Sequence, residues 1–306
     1  MVVYLFITKL TKIMNIVMTP DIVGKVKFLI NKGIRPFEIS KLLNINNVTL
    51  LSWAHKNGYK FCPNKGNVHY FDNIDSYAKA YIVGFIAADG ALVKTKTTTT
   101  LTITIKYEDK AILEFIKSEI GNSHELKEII RPNNFDKSKM IYHIRYTISD
   151  KNITLALNNL GIYSNKSLTI GNVIENIPYQ FRDAFIIGFF DGNGSVIITD
   201  KFHFNKDRKT CGKYYPDHTI TVDIRSTKAL LSGICNHLNI SENHIHQYDS
   251  TPKLTITHKK DVCKFFKCYK HLPFFLKRKH DKFLQRINHP SYDKYKQDQT
   301  ISSSIE

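Results

Sequence analysis

The sequence predicts an α+β fold: two pseudo-symmetric αββαββα repeats forming a saddle, with a small helical domain ahead of them. Three observations predict it. "GFIAADGAL" at 84–92 has a near copy, "GFFDGNGSV", at 188–196. Each copy is followed by a strictly alternating stretch, "TLTITIK" at 100–106 and "TITVDIR" at 219–225. The remaining periodic segments then run in the same order in both halves. The expected boundaries are 1–61 for the helical module, 62–75 for a linker, 76–163 for the first repeat, 164–177 for an inter-repeat linker, 178–288 for the second repeat and 289–306 for a polar tail.

The helical module reads as three helices. "PDIVGKVKFLINKG" has Pro20 in its first turn and Gly33 at its end. "RPFEISKLLNI" follows, then "VTLLSWAHKNG", which stops at Gly58. The pattern fits a helix-turn-helix with Thr49, Ser52, His55 and Lys56 on the outer face of the last helix, and it equally fits an ordinary three-helix bundle.

In the first repeat, "SYAKAYIVGFIAADG" is a helix with Ser76 as its N-cap. "TLTITIK" is a strand with Leu101, Ile103 and Ile105 on one face. "DKAILEFIKSEIG" is an amphipathic helix, "IYHIRYTIS" a strand and "NITLALNNLG" a helix. The second repeat gives "PYQFRDAFIIGFFDGNG", "TITVDIR", "STKALLSGICNHL", "PKLTITH" and "KDVCKFFKCYKHL" in matching order.

Composition narrows the function. The chain has 306 residues, 42% of them hydrophobic, which is enough for a substantial core. Its formal net charge is +17, which favours a polyanionic partner, nucleic acid or an anionic membrane surface. No stretch reaches the roughly 18–20 apolar residues of a membrane span. The apolar start lacks a basic n-region and a small-residue cleavage site. Five cysteines without a CxxC pair point to reduced thiols in an intracellular protein, cytoplasmic or nucleoid-associated, in a cell, organelle or viral host. Cys263, Cys268 and "HIH" at 244–246 give only a weak zinc pattern.

The two copied helices carry the chemistry. Gly84 and Ala88, like Gly188 and Gly192, lie four residues apart and so share a helix face where two backbones can approach. Asp89 and Asn193 stand at the carboxyl ends, where unsatisfied carbonyls already carry negative charge. An acid there needs a compensating cation. Oxygen ligands with solvent suit Mg²⁺, which takes phosphate oxygens as further ligands. Asp191, two residues before Asn193, is turned about 200° away and does not substitute for it.

"IVGFIAADG" (82–90) and "IIGFFDGNG" (186–194) resemble the paired LAGLIDADG motifs of homing endonucleases in their monomeric two-repeat form, and the repeat order extends the resemblance over residues 77–288. The resemblance implies motif helices at the inter-repeat interface, divalent metal at the eighth motif positions (Asp89 and Asn193) and strands in the major groove of double-stranded DNA. It also implies metal-assisted phosphodiester hydrolysis, with Arg145 and Lys253, aligned through "RYTIS" and "KLTIT", as a basic shell around the scissile phosphates. Two departures stand out: Ala87 where the family often has an acid, and Asn193, whose neutral amide oxygen coordinates without bringing charge. Asn193 therefore leaves open a weakened or strand-biased nuclease, a DNA-binding regulator without cleavage, or an RNA-binding maturase acting on intron RNA.

The expected DNA-facing surface comprises Thr100, Thr102, Thr104 and Lys106 with Thr219, Thr221, Asp223 and Arg225. "KTKTTTT" and "KFHFNKDRKTCGKYY" are the expected hairpin ends. "LKRKHDKF" at 276–283 adds Lys277, Arg278 and Lys279 as phosphate contacts.

Overall fold

The structure, a computed structural model, describes residues 18–31, 34, 36–59, 66–94, 98–121, 124–133, 136–166, 169–204, 214–293 and 295, and not the side chains of 31, 37, 201–204 and 214–218. Most of both hairpin ends, the greater part of the tail, Cys62 and Cys211 lie outside the described residues. The chain divides into two compact units, one within 1–66 with 121–123, the other 67–120 with 124–306.

The first unit holds α1 (Pro20–Asn31), α2 (Pro36–Leu42) and α3 (Asn47–Lys56). Val26, Ile30, Ile39, Ile45 and Leu50 form its core, from one side of each helix and the turn between α2 and α3. Asn44 in that turn has a φ of 51°, a left-handed conformation that asparagine tolerates. Asn46 then caps α3 by accepting from the Val48 amide at 2.8 Å.

The second unit contains both repeats. The first runs α4 (Tyr77–Asp89), β1 (Gly90–Lys94), β2 (Thr99–Lys106), α5 (Lys110–Ile120), β3 (Lys127–Pro132), β4 (Met140–Ile148) and α6 (Lys151–Asn159). The second runs α7 (Arg182–Asn193), β5 (Gly194–Phe204), β6 (Tyr214–Arg225), α8 (Lys228–Leu238), β7 (Ile245–Tyr248), β8 (Thr251–Ile256) and α9 (Lys259–Lys267). Each repeat makes a four-stranded antiparallel sheet, in the orders β1-β2-β4-β3 and β5-β6-β8-β7. A further helix, α10 (Lys277–Ile287), extends the second repeat.

Local sequence explains these elements. Ser76 caps α4 by accepting from the Lys79 amide, and Asp150 and Thr227 cap α6 and α8 in the same way. Pro178 precedes a short 3₁₀ turn, Tyr179–Phe181, so the second motif helix begins at Arg182, later than its periodicity alone suggests. In β2, Leu101, Ile103 and Ile105 are buried while the alternate threonines are half-buried; Ile220, Val222 and Ile224 do the same in β6. One hydrophobic core runs through both repeats, with α4 and α7 buried on nearly every side.

The α4–α7 contact is a backbone contact. A Cβ added at Gly84 would stand 2.1 Å from the Phe185 carbonyl oxygen, and one at Gly188 would stand 2.0 Å from that of Tyr81. The two contacts are the same contact seen from either repeat. Further along, a Cβ at Gly192 would lie 2.3 Å from the Ala88 methyl. Gly84→Ala must therefore push two helices apart, and we expect it to cost about 3 kcal/mol or more in urea unfolding of the full chain. Gly171→Ala, where a Cβ meets nothing among the described residues within 4 Å, is expected to stay within about 0.5 kcal/mol of the parent.

Candidate active site at the paired helix ends

Both motif helices pass into a strand with no intervening loop. Gly90 and Gly194 are the C-caps, each in an extended conformation. Glycine is required there for space: a Cβ would stand 2.6 Å from the Ile86 carbonyl oxygen at Gly90 and 2.0 Å from the Phe190 ring at Gly194. The last helical residues, Asp89 and Asn193, therefore sit at the junction of helix and sheet in each repeat.

Two lysines occupy these helix ends. Lys166, 7% exposed, donates to the carbonyls of Ala88, at 3.2 Å, and Gly90. Lys279, 5% exposed, donates to those of Phe190, Asp191 and Gly194 at 2.7–2.8 Å. Each ammonium group thus neutralises the negative end of one motif helix and clamps it to the following strand. Burial lowers both lysines to about 8, while Asp89 pulls each back up, together with Asp191 in the case of Lys279. The Asp89 carboxyl is pushed above the ordinary carboxylate range by burial, against the pull of Lys279 and Lys166. Asp89 packs against Gly192: a Cβ there would lie 3.3 Å from its carboxyl carbon.

Asn193 is exposed. It lines a cavity of about 310 Å³ together with Ala88, Lys166, Arg225, Ser226 and Thr251. Asp191 is turned inward instead, where Tyr81 Oη and the Leu276 amide both donate to its Oδ2 at 2.8 Å. Its Oδ1 is buried without a partner among the described residues, and burial pushes the carboxyl up to about 6 against those donors and the Lys279 and Arg278 charges.

The sheet register makes Arg145 and Lys253 equivalent. Gly90 pairs with Ile103 and Gly194 with Ile224; the next residues, Thr104 and Arg225, pair with Arg145 and Lys253. Arg145 Nε donates to Thr104 Oγ1 at 3.0 Å. Lys253 lies 3.3 Å from Asp223 and 5.0 Å from the ring centre of Tyr248, over which Arg225 also stacks at 4.7 Å.

On the surface opposite the core, Thr100, Thr102, Thr104, Thr219 and Thr221 are half-buried, and Lys106 and Arg225 are exposed. Four of the residues expected to face DNA have partners within the protein. Asp223 turns to its own sheet, accepting from Thr255 Oγ1 at 2.8 Å and pairing with Lys253. Lys279, expected to contact phosphate, is instead buried at the α7 end with its ammonium group on main-chain carbonyls. Arg278 forms a two-point ion pair with Asp109 of the first repeat at 2.6 and 2.8 Å, and Lys277 pairs with Asp281. In the first unit, Ser52, His55 and Lys56 are exposed and Thr49 is half-buried.

Lys166 is the residue that sequence reading misses. It lies in the stretch taken as an inter-repeat linker, and its equivalence to Lys279 is hidden by unequal spacing from the preceding helices, which end at Asn159 and Lys267. Lysine after the last helix of both repeats was the available signal. Among the described residues no group of three His, Cys, Asp or Glu side chains could hold a metal, and Cys263 and Cys268 are buried. No described helix is long and apolar enough to cross a membrane. The two motif helices end in one carboxylate, Asp89, and one amide, Asn193, both of which offer oxygen donors of the kind a hard cation takes.

Residues 186–287 match the family model described as LAGLIDADG endonuclease. Solved structures with a similar fold include the I-LtrWI LAGLIDADG homing endonuclease bound to target DNA, with 16% identity, 69% of this chain and 88% of that chain covered, and a TM-score of 0.43. The homing endonuclease I-WcaI bound to its DNA recognition sequence gives 15%, 69%, 87% and 0.46. Meganuclease I-SmaMI bound to uncleaveable DNA gives 14%, 68%, 89% and 0.43. No curated protein matches the sequence.

The Asp191 geometry makes a prediction about pH. The folded protein holds the Asp191 proton up to about pH 6, whereas the unfolded chain releases it at the ordinary carboxylate value. The group's contribution to stability is complete below that ordinary value and is lost as pH rises through about 6. Asp191→Asn keeps an acceptor and cannot ionise. Its denaturation midpoint should match the parent's near about pH 4 and exceed it above about pH 7. A constant difference across that range would remove the assigned cause.

Proposed function

We propose that this chain, whose residues 186–287 match the LAGLIDADG endonuclease model, is a site-specific double-stranded DNA endonuclease of the homing type. The observation that carries the reading is the pair of motif helices packed backbone to backbone, with Asp89 and Asn193 at their adjoining ends and a buried lysine on each end. The family match takes in most of the second of those helices, and the repeated topology supports the same reading for the first.

In this reading Asp89 and Asn193 hold Mg²⁺. When bound, the ion supplies Lewis-acid polarisation of a phosphate and a more acidic water. The protein's own residues do the rest. Lys166 and Lys279, with pKa values of about 8, stay largely charged at neutral pH and keep a fixed positive field beside Asp89. Arg145 and Lys253, at equivalent positions on the two sheets, stabilise charge gathering on the scissile phosphates. Thr100, Thr102, Thr104, Lys106, Thr219, Thr221 and Arg225 face the major groove. The first unit adds a helix-turn-helix contact through Thr49, Ser52 and Lys56. The two repeats in one chain serve as an intracellular monomer with internal pseudo-twofold symmetry, encoded by a mobile element.

A second reading, a DNA-binding protein that has lost cleavage, rests on Asn193 itself. Replacing one of two carboxylates by an amide removes charge from the metal site and weakens its hold on a hard cation. One experiment separates the readings. Mg²⁺-dependent cleavage of a cognate duplex is expected to rise roughly ten-fold or more in Asn193→Asp and to fall to background in Asp89→Asn. An Asn193→Asp protein that binds the duplex and cuts no faster would take position 193 out of the metal site.

A further inference from the structure

We infer that the outer face of α3 reads thymine methyl groups in a DNA major groove. The inference rests on the proposed DNA-binding role and adds the chemistry of recognition in the first unit.

On α3, Leu50 and Ala54 point into the core. The opposite side presents Val48, Leu51, Ser52 and His55, which fall within roughly 100° of one another around the helix. Val48 is 73% exposed and Leu51 42% exposed. Two branched aliphatic side chains stay in water here although the unit has a core that accepts others of their kind. A contact with a partner would remove their apolar surface from water.

The charge of the unit selects the partner. Residues 18–66 contain eight Lys and Arg against two Asp and Glu, a net +6. Such a surface draws a polyanion. The apolar feature that a DNA duplex offers at a base edge is the C5 methyl of thymine, and it lies in the major groove. Val48 and Leu51 match it in chemistry. Ser52 and His55 between them carry hydrogen-bonding groups for base edges, and exposed Lys56 reaches toward phosphate. The start of α3 is held in one conformation by the Asn46 cap and by buried Ile45, so these side chains are presented on a rigid support.

The test uses the full chain. A bound duplex is first selected from a random library, and the stretch whose protection from nuclease digestion is lost in Lys56→Glu marks what α3 covers. Thymines in that stretch are then replaced by deoxyuridine, which removes only the methyl groups. We expect the parent protein to lose about four-fold in affinity per contacted methyl, the factor for taking one such group out of water. The same replacement should leave the Val48→Ala/Leu51→Ala double variant unaffected; both positions are exposed, and circular dichroism melting checks that the fold is retained. Equal affinity of the parent for the thymine and uracil duplexes would overturn the inference, as would an equal loss in the double variant, and the exposed face would then belong to a protein partner. A selected duplex without any stretch tied to α3 would sink this inference alone. Failure to select any duplex, with no Mg²⁺-dependent cleavage, would sink the nuclease reading beneath it.

Discussion

Two helix backbones touch, and the rest of the second unit follows from that contact. Gly84 admits the Phe185 carbonyl and Gly188 admits that of Tyr81, so α4 and α7 lie closer than any side chain would allow. Because Gly90 and Gly194 each turn directly into a strand, the helix pair also fixes where both sheets begin. Repeating one contact by pseudo-symmetry thus sets the positions of residues 89 and 193 without help from any loop. The same closeness creates an electrostatic difficulty, since two helix carboxyl ends bring their partial negative charges together. Lys166 and Lys279 answer it. A buried lysine is costly to charge, and here five carbonyl acceptors between the two ammonium groups offset that cost.

The two ends are not equal, and the inequality has a direction. On the α4 side the carboxylate is Asp89, half-buried and within the field of both lysines. On the α7 side the amide Asn193 faces an open cavity, while the nearby acid, Asp191, is consumed by Tyr81 and the Leu276 amide. Asp191 therefore serves the fold: it ties α7 to the chain entering α10 and so to Lys279. Its counterpart in the first repeat is Ala87, which has nothing to tie. The second repeat carries the extra helix and the structural acid; the first carries the acid at the candidate site.

Much of this architecture was legible in the sequence because it rests on local rules. Alternation in "TLTITIK" and "TITVDIR" fixed which side chains turn inward, and Ser76 marked a helix start. The aligned pair Arg145 and Lys253 was legible because strand register transmits sequence spacing directly into space. What was not legible depends on partners distant in sequence. Lys166 binds carbonyls on a helix that ended far earlier in the chain, and Asp109 is held by an arginine from the other repeat. Asp223 read as a free acceptor on an outward face until Thr255 and Lys253 appeared beside it. Residue type and periodicity say which way a side chain points, and they do not say whether something is already waiting there.

The basic residues show why that matters for function. A net charge of +17 suggests a broad phosphate-binding surface, yet the cations are not interchangeable. The cluster on α10 divides: Arg278 braces the second repeat against the first through Asp109, Lys279 holds the end of α7 and Arg286 pairs with Asp200, whereas Lys277, paired with Asp281 on the same helix, and Lys282 are exposed. Losing Arg278 or Lys279 leaves Asp109 or a set of carbonyls without its donor, so the effect falls on the fold and on the paired helix ends. Lys106, Lys127, Arg131 and Arg225 are also exposed, on the two sheets. Counterion release on binding a duplex counts only cations that reach phosphate. In the proposed duplex complex, Arg278 and Lys279 are accounted for by the fold, and the salt dependence of binding is expected to follow the exposed cations of the strands together with Lys277 and Lys282.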